Sequence, residues 1–449
     1  MAALTVARKK LLRRRWAWYL YDFGNSAYAA VVLLAVYSAY FKGQVVGGAL
    51  GSRLWGISVG IAMLVVALVS PVLGAIADFS GAKKRFLFVF TTIACTFTAL
   101  LFFVREGDVL LGMVFFILAE IGYRGAQVFY NALLPEIAES EDIGRVSGIG
   151  WAVGSAGGVL CLFIILPLIL IFEGTIMVRL SLVITAVYFA LSTIPLFVGL
   201  EEMGKPQPLP SGENYLTAGF KRTWETLRAV GRFREFVRFV VSFLIYNDGV
   251  MMAMNFASII GAVLFGMDQQ QLIVFVILVQ VTNVIGAYAL GHLVDRVGGK
   301  RTLIVSILLM VLAIALMAFT STSTAFYFVG ALAGFAMAGI QSVSRTMVGL
   351  LSPVGHSAEF YGFFAVAGRT SSFIGPAVYG GVAYRVARYY ENVQGLSALA
   401  AEQAGQRAAI LSIGVFLLVG MVILASVNEQ RIRQAKKVKT ETHKLARAG

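Results

Sequence analysis

The sequence WAWYLYDFGNSAYAAVVLLAVYSAY, residues 16–40, is almost wholly apolar from end to end. A helix of that length can cross the hydrocarbon core of a bilayer. Asp22, Asn25 and Ser26 interrupt it at spacings of three and four residues, which put their side chains on one helical face. A carboxylate facing lipid costs several kcal/mol, so this face is expected to meet protein, water or a ligand. The stretch therefore predicts a membrane helix with a polar stripe.

The whole chain has the composition of a membrane protein. Its 449 residues are 59% hydrophobic and only 13% charged, with a mean hydropathy of +0.82, whereas soluble domains carry about 25% charged residues. We therefore predict an all-α protein with twelve spans, numbered in chain order. The apolar runs that define them are 16–40, 54–77, 86–104, 109–130, 146–172, 176–198, 236–264, 271–294, 302–320, 324–350, 358–384 and 408–427.

The basic residues predict the orientation of these spans. Of the 37 Lys and Arg residues, 27 fall in the two tails and in the loops on the same side, and 7 fall in the opposite loops. The positive-inside rule then puts both termini in the cytoplasm. The same clustering explains the net charge of +14 without a nucleic-acid partner.

A polar segment divides the chain into an N-terminal half (1–200), a linker (201–235) and a C-terminal half with a basic tail (236–449). Within the linker, KPQPLPSG is a turn-rich connector. The apolar residues that follow it recur at helical spacing with basic residues between them, which predicts an amphipathic helix on the inner membrane surface. These apolar residues are Leu216, Phe220, Trp224 and Leu227.

The two halves repeat each other. GAIADFSGAKKR (74–85) matches GHLVDRVGGKR (291–301), so that Asp78 corresponds to Asp295. Gln127 corresponds to Gln341 at almost the same separation along the chain. Near-constant offsets across six spans indicate two parallel six-helix repeats. This architecture and the loop signature G-x-x-x-D-x-x-G-x-(K/R)-(K/R) are similar to those of the major facilitator superfamily.

Longer motifs resemble one branch of that superfamily. They are WAWYLYDFGNSAYAAVV in the first span, VFYNALLPEIA (128–138), RVSGIGWAVGSAGG (145–158), IQSVSRTMVGLLSP (340–353) and EFYGFFAVAGRTSSFIGP (359–376). The branch is the vacuole-effluxer-like, or "unknown major facilitator", family, whose fungal autophagy-related members export amino acids from the vacuole. The resemblance implies a transporter with the major facilitator fold.

The resemblance also implies which residues gate the transporter. In this superfamily the loops after the second and eighth spans lock and release the inner gate. The residues that carry the signature here are Asp78, Gly81, Lys83, Asp295, Arg296 and Gly298. The alternative is that they only anchor helix ends.

The resemblance implies that the first, fourth, seventh and tenth spans line a central cavity, and polar residues fall on them. On the fourth span, Glu120, Arg124 and Gln127 share one helical face. Glu120 and Arg124 can either belong to a functional site or form an ion pair with a purely structural role. Arg345, on the tenth span, has no acidic neighbour one turn away and is the first choice to meet a carboxylate. The full set of expected solute-binding residues is Asn25, Tyr28, Arg124, Gln127, Tyr246, Asn247, Asn255, Gln341, Arg345 and Arg369.

Proton coupling needs a carboxyl group that changes its protonation state between the two access states. Burial without a fixed cation favours the protonated form, which makes Asp22 and Asp248 the candidates. Glu120 is a weaker one because Arg124 is one turn away. We prefer Asp22, since Asn25 and Ser26 can stabilise either form. The alternative is that Asp22 bridges neighbouring helices.

Together these features predict a secondary transporter that moves a small polar or zwitterionic solute, with an amino acid as the best candidate, by alternating access. The alternatives are an exporter of amphiphiles or drugs and a non-transporting membrane sensor or scaffold. The sequence has no nucleotide-binding or hydrolase motif, so we expect no enzyme activity, cofactor or metal. The expected partners are the solute, a proton or other coupling ion and the bilayer, for a monomer in a bacterial plasma membrane.

Overall fold

The computed structural model describes residues 2–46, 48–139, 141–172, 174–201, 214–228, 233–267, 269–353 and 355–429. Regular secondary structure in these ranges is helical. The connector KPQPLPSG and the basic tail after Glu429 lie outside the described residues.

The helices follow the order predicted from the sequence, and the prediction of an all-α membrane protein is confirmed. Eleven helical segments in the described ranges are long and apolar enough to cross a membrane, and the helix Ser357–Asn392 covers the remaining predicted span. The long helices are Ala2–Tyr28, Gly48–Ser80, Lys83–Leu100, Val109–Ala132, Ile143–Ile171, Thr175–Gly199, Arg234–Phe265, Gln269–Val297, Gly299–Phe319, Ser323–Leu351, Ser357–Asn392 and Ala398–Ala425.

The first span departs from a regular α-helix. After Tyr28 it continues as a π-helix over Ala29–Ala35, and a second π-helical stretch covers Phe41–Val46. The π-helix is rare and frequently lies at functional sites. The distortion begins just beyond the polar stripe of this span, which marks the stripe as a place to look for function.

The chain forms two compact units, and each takes in a short segment from the other sequence half. The first unit contains most of the N-terminal half together with residues 355–366, at the start of the eleventh span. The second contains most of the C-terminal half together with residues 141–148, at the start of the fifth span. Loops with the gating signature contact these two exchanged segments, as described below.

The predicted amphipathic linker helix is present as Tyr215–Arg228 in the first unit. Gly219 faces the second span, because a methyl group on it would lie 2.3 Å from Ile76 Cγ1. Phe220 and Trp224 are exposed instead. These two residues of the predicted apolar stripe therefore do not pack against the protein, and the side chains of Leu216 and Leu227 lie outside the described part of the chain.

Candidate functional site

In the first unit, polar and aromatic side chains of the first and fourth spans form a group that we call the Tyr123 cluster: Tyr28, Glu120, Tyr123, Arg124 and Gln127. The Nε of Arg124 donates to Oε1 of Glu120 at 2.7 Å, so the predicted ion pair is formed. The ring of Tyr123 stacks on Tyr28 at 4.5 Å between centroids, and its hydroxyl accepts from Gln127 at 3.0 Å. The Glu120 side chain is fully buried, whereas the Arg124 side chain is 26% exposed.

Asp22 and Asn25 lie on the same side of the first span and are nearly buried. A methyl group on Gly154 would lie 2.8 Å from Cγ of Asp22, so glycine lets the fifth span approach this carboxylate. The side-chain oxygen of Asn25 is buried and has no hydrogen-bond partner among the described residues. A buried acceptor without a donor is costly, which makes Asn25 a candidate ligand group.

In the second unit, the Tyr246-Asn247-Asp248 run is fixed to other helices. The hydroxyl of Tyr246 lies 2.7 Å from Oγ of Ser344, and Oδ1 of Asn247 accepts from Nε2 of Gln341 at 3.2 Å. Oδ1 of Asp248 accepts from the backbone N–H of Gly375 at 2.8 Å. That bond ties the seventh span to the eleventh, directly before Pro376.

Arg345 is buried and binds the start of the fifth span, also within the second unit. Its Nη2 donates to the carbonyl oxygen of Ser147 at 2.6 Å, and its Nε donates to Oγ of the same serine at 3.1 Å. The Ser147 hydroxyl in turn donates to the carbonyl of Ser342. The guanidinium therefore has protein acceptors in a distant part of the chain, which no local sequence pattern indicates.

The remaining expected solute-binding residues are Asn255 and Arg369. Asn255 is exposed on the seventh span, two helical turns after Asp248. The backbone of Arg369 is helical, but its side chain lies outside the described part of the chain.

The loop after the second span forms a network of ionic contacts around Asp78 in the first unit. Oδ2 of Asp78 accepts from the backbone N–H of Glu359 at 2.9 Å, at the start of the eleventh span. Its Oδ1 lies 3.0 Å from Nζ of Lys83, which also donates to Glu136 at 2.5 Å and to Ser357 at 2.7 Å. A carboxylate at a helix N-terminus is stabilised by the free N–H groups and the helix dipole.

The loop after the eighth span repeats this arrangement in the second unit. Asp295 accepts from the backbone N–H groups of Gly144 and Arg145 at 3.1 and 3.2 Å, at the start of the fifth span. Gly81 and Gly298, which correspond in the repeat, have φ of 66° and 96°, a conformation that favours glycine. Arg296 is exposed and Lys300 donates to the carbonyl of Ala425 instead, so the second loop lacks the central lysine contact of the first.

Repeat-related glycines let the same helices pack closely. A methyl group on Gly74 would lie 2.4 Å from the carbonyl oxygen of Ala358, and one on Gly362 would lie 2.8 Å from that of Ser70. A methyl group on Gly148 would lie 2.4 Å from the carbonyl oxygen of Ala287 and 2.7 Å from Cα of Gly291. Since backbone atoms cannot yield locally, these contacts need glycine.

Sequence reasoning missed several residues of these sites. Tyr123 is next to Arg124 and could have been found as an aromatic residue on a polar helix face. Glu359 is fully buried and shares a hydrogen bond with His356 at 3.0 Å, and the motif EFYGFF containing it was noted without a role. Gly375 acts through its backbone N–H and Ser147 partly through its backbone carbonyl, for which side-chain patterns give no signal.

Comparisons with known proteins agree on the family. A family model described as "Vacuole effluxer Atg22 like" matches residues 55–437. The chain is 28% identical over 434 residues to the uncharacterized MFS-type transporter YxiO of Bacillus subtilis, across 94% of this chain and 96% of that protein. It is 25% identical over 263 residues to autophagy-related protein 22-1 of Penicillium rubens, across 54% of this chain and 44% of that protein.

Solved structures confirm the predicted major facilitator fold. The human organic anion transporter MFSD10 (TETRAN) superimposes with a TM-score of 0.70 at 15% identity, over 92% of this chain and 99% of that chain. The proton:xylose symporter XylE gives a TM-score of 0.70 at 12% identity, over 94% of this chain and 96% of that chain. At these identities the likeness extends to the fold alone.

Proposed function

This chain belongs to the vacuole effluxer Atg22-like family of major facilitator transporters, and we propose that it moves a small polar or zwitterionic solute by alternating access. An amino acid is the first candidate. The family and fold are those of transporters rather than enzymes.

The observation that carries this proposal is the pairing of opposite charges around Tyr123. Arg124 and Glu120 of the fourth span form an ion pair at 2.7 Å, Tyr28 of the first span stacks on the Tyr123 ring, and Asp22 is buried on that same first span. A zwitterion can offer its carboxylate to Arg124 and its ammonium group to Asp22, while Asn25 supplies a buried acceptor. A purely apolar solute would desolvate these groups and offer them no polar partner of its own.

We favour Arg124 over Arg345 as the carboxylate ligand. Arg124 uses its Nε for Glu120 and keeps part of its surface exposed. Arg345 is buried and bonded through both Nε and Nη2 to Ser147, so a solute would have to displace protein contacts. These contacts support a positioning role for Arg345 between the tenth and fifth spans.

The same charges support coupling to a proton or another cation. The first and fourth spans bring two carboxylic acids, Asp22 and Glu120, together with one arginine, Arg124. Ionisable side chains inside a membrane segment are candidates for function, and a carboxylic acid there can take up a proton or another cation. Asp22 is the preferred carrier because Glu120 is held by Arg124.

We assign gating to the Asp78 and Asp295 contacts. Each joins a loop of one sequence half to a helix start of the other half. With both termini in the cytoplasm, as the positive-inside rule indicates, these bonds hold the cytoplasmic side closed, and their release opens it.

Ligand-induced thermal stabilisation tests this proposal. We expect one or more amino acids to raise the Tm of the purified protein. In Arg124→Lys, at least a ten-fold higher amino-acid concentration should be needed for the same rise in Tm, because a lysine cannot reproduce the guanidinium geometry. Arg345→Lys is the matched control and should keep the wild-type concentration dependence. Stabilisation by amphiphiles alone, or equal losses in both variants, would contradict the proposal.

A further inference from the structure

A crevice of about 290 Å³ opens between the third and sixth spans of the first unit. Its rim faces the surrounding membrane, because Phe88, Ile194 and Val198 are 54%, 50% and 76% exposed. It is distinct from the Tyr123 cluster. The residues that line it are Phe88, Thr91, Thr92, Cys95, Thr96, Ala190, Thr193, Ile194, Phe197 and Val198.

Three of the four threonines that line this crevice have hydroxyl groups that are already hydrogen-bonded. The hydroxyl of Thr91 donates to the carbonyl of Leu87 at 2.7 Å, that of Thr92 to Phe88 at 2.9 Å, and that of Thr193 to Ala190 at 2.7 Å. Their hydroxyl protons are therefore used within their own helices. A crevice of this kind suits a hydrocarbon chain and penalises a polar solute.

One end of the crevice is basic. Arg85 is exposed at the start of the third span, and Phe88 and Thr92 follow it at i+3 and i+7 on the same face. Nζ of Lys84 donates to the carbonyl of Leu200 at 2.5 Å, which joins the ends of the third and sixth spans.

The acidic residue at this end does not cancel the positive charge. Lys10 and Arg14 hold the Glu201 carboxylate at 2.9 and 2.7 Å. Their hydrogen bonds lower the pKa of that carboxyl group, so it stays ionised and paired. Among the residues that the structure describes at this end, Lys84 and Arg85 add positive charge to that of Lys10 and Arg14.

We propose that this crevice binds one acyl chain of an anionic phospholipid whose headgroup lies against Arg85. The third span rises about 16 Å from Arg85 to Thr96, at about 1.5 Å per residue. One leaflet contributes half of a hydrocarbon core of about 30 Å, so headgroup and chain fit together. The positive end selects an anionic headgroup, since each basic group near a membrane surface favours it.

Native mass spectrometry of the purified full-length protein tests this site by titration with phosphatidylglycerol and phosphatidylethanolamine of identical chains. Phosphatidylglycerol should bind more tightly. Arg85→Gln should weaken its binding about five-fold, the value of one basic contact, and leave phosphatidylethanolamine unchanged. Thr92→Trp should fill the crevice and weaken both lipids.

Two control variants separate the crevice from the general surface. Arg301→Gln changes an exposed basic residue at the start of the ninth span, and Val89→Trp adds the same bulk on an exposed position of the third span. Both should bind lipid as the wild type does. If Thr92→Trp does not fold, Thr96→Leu takes its place. Equal effects in variants and controls, or equal wild-type affinity for the two lipids, would overturn the proposal.

Discussion

At the scale of single residues, the chemistry of this transporter depends on how each buried charge is satisfied. The Glu120–Arg124 pair is predictable because its partners are one helical turn apart. The partners of Arg345 and Asp248 are not, since Ser147 and Gly375 come from distant segments and act partly through the backbone. The sequence therefore identifies the charged residues in the spans, but it does not show which of them are already bonded to other residues of the protein.

The coupling role of Asp22 is tested by Asp22→Asn, which keeps the size of the side chain and removes the titrating proton. In proteoliposomes, accumulation of solute driven by a proton gradient should vanish, because no proton is bound and released per cycle. Exchange of solute at equal concentrations should persist. Loss of exchange as well would assign Asp22 to solute binding or to the fold, and unchanged accumulation would remove it from coupling.

The Glu120–Arg124 pair leads to a stability prediction. Arg124→Ala leaves the fully buried Glu120 carboxylate without its cation, and breaking a buried pair costs about 3–5 kcal/mol. The Tm of the detergent-purified variant should fall clearly. Adding Glu120→Gln should recover part of the loss, because the uncompensated charge is removed. Additive losses in the double variant would show that the two side chains do not interact.

At the scale of helices, length and apolarity are enough to predict the spans, because lipid forces every backbone polar group into a helix. This also explains why Pro71, Pro167, Pro195 and Pro376 lie inside helices. The π-helical stretches of the first span were not predictable, since they depend on packing against neighbours. The glycines of the sequence predict close contacts between helices, but they do not predict which helix each glycine faces.

Replacing these glycines tests whether close helix packing belongs to the gate. Gly74→Ala and Gly148→Ala would drive a methyl group into backbone atoms of the facing helix. Cysteines placed near the predicted cytoplasmic ends should become more accessible to water-soluble thiol reagents, as the packed state is disfavoured. Gly60→Ala on the second span has open space around it and is the control. Equal accessibility in all variants would separate these contacts from gating.

The Asp78 network makes a related prediction about charge. Asp78→Asn keeps an oxygen acceptor for the Glu359 N–H but removes the negative charge beside Lys83 and the helix N-terminus. Transport should slow while solute affinity changes only a few-fold, because the proposed solute site does not include this loop. A collapse of binding with unchanged cysteine accessibility would show that Asp78 has another role.

At the scale of the whole molecule, the repeat accounts for most of what could be predicted. The near-constant offset between matching motifs predicts two related six-helix halves, and Asp78 and Asp295 occupy equivalent positions, from which they bind the starts of the eleventh and fifth spans. The asymmetry between the two loops was predictable only in part, since Lys83 and Lys300 are equivalent in sequence but bind different partners. The solute itself is set by a few side chains and does not follow from the fold.

The most direct test of the central claim, a secondary transporter for a small zwitterionic solute, is amino-acid flux in proteoliposomes that contain the purified full-length protein. Radiolabelled amino acids should exchange across the bilayer in a saturable manner, and an imposed proton gradient should drive net accumulation of the same solute. Empty liposomes and Arg124→Lys protein should show neither. Folded wild-type protein that exchanges no amino acid, while it extrudes amphiphiles, would contradict the account.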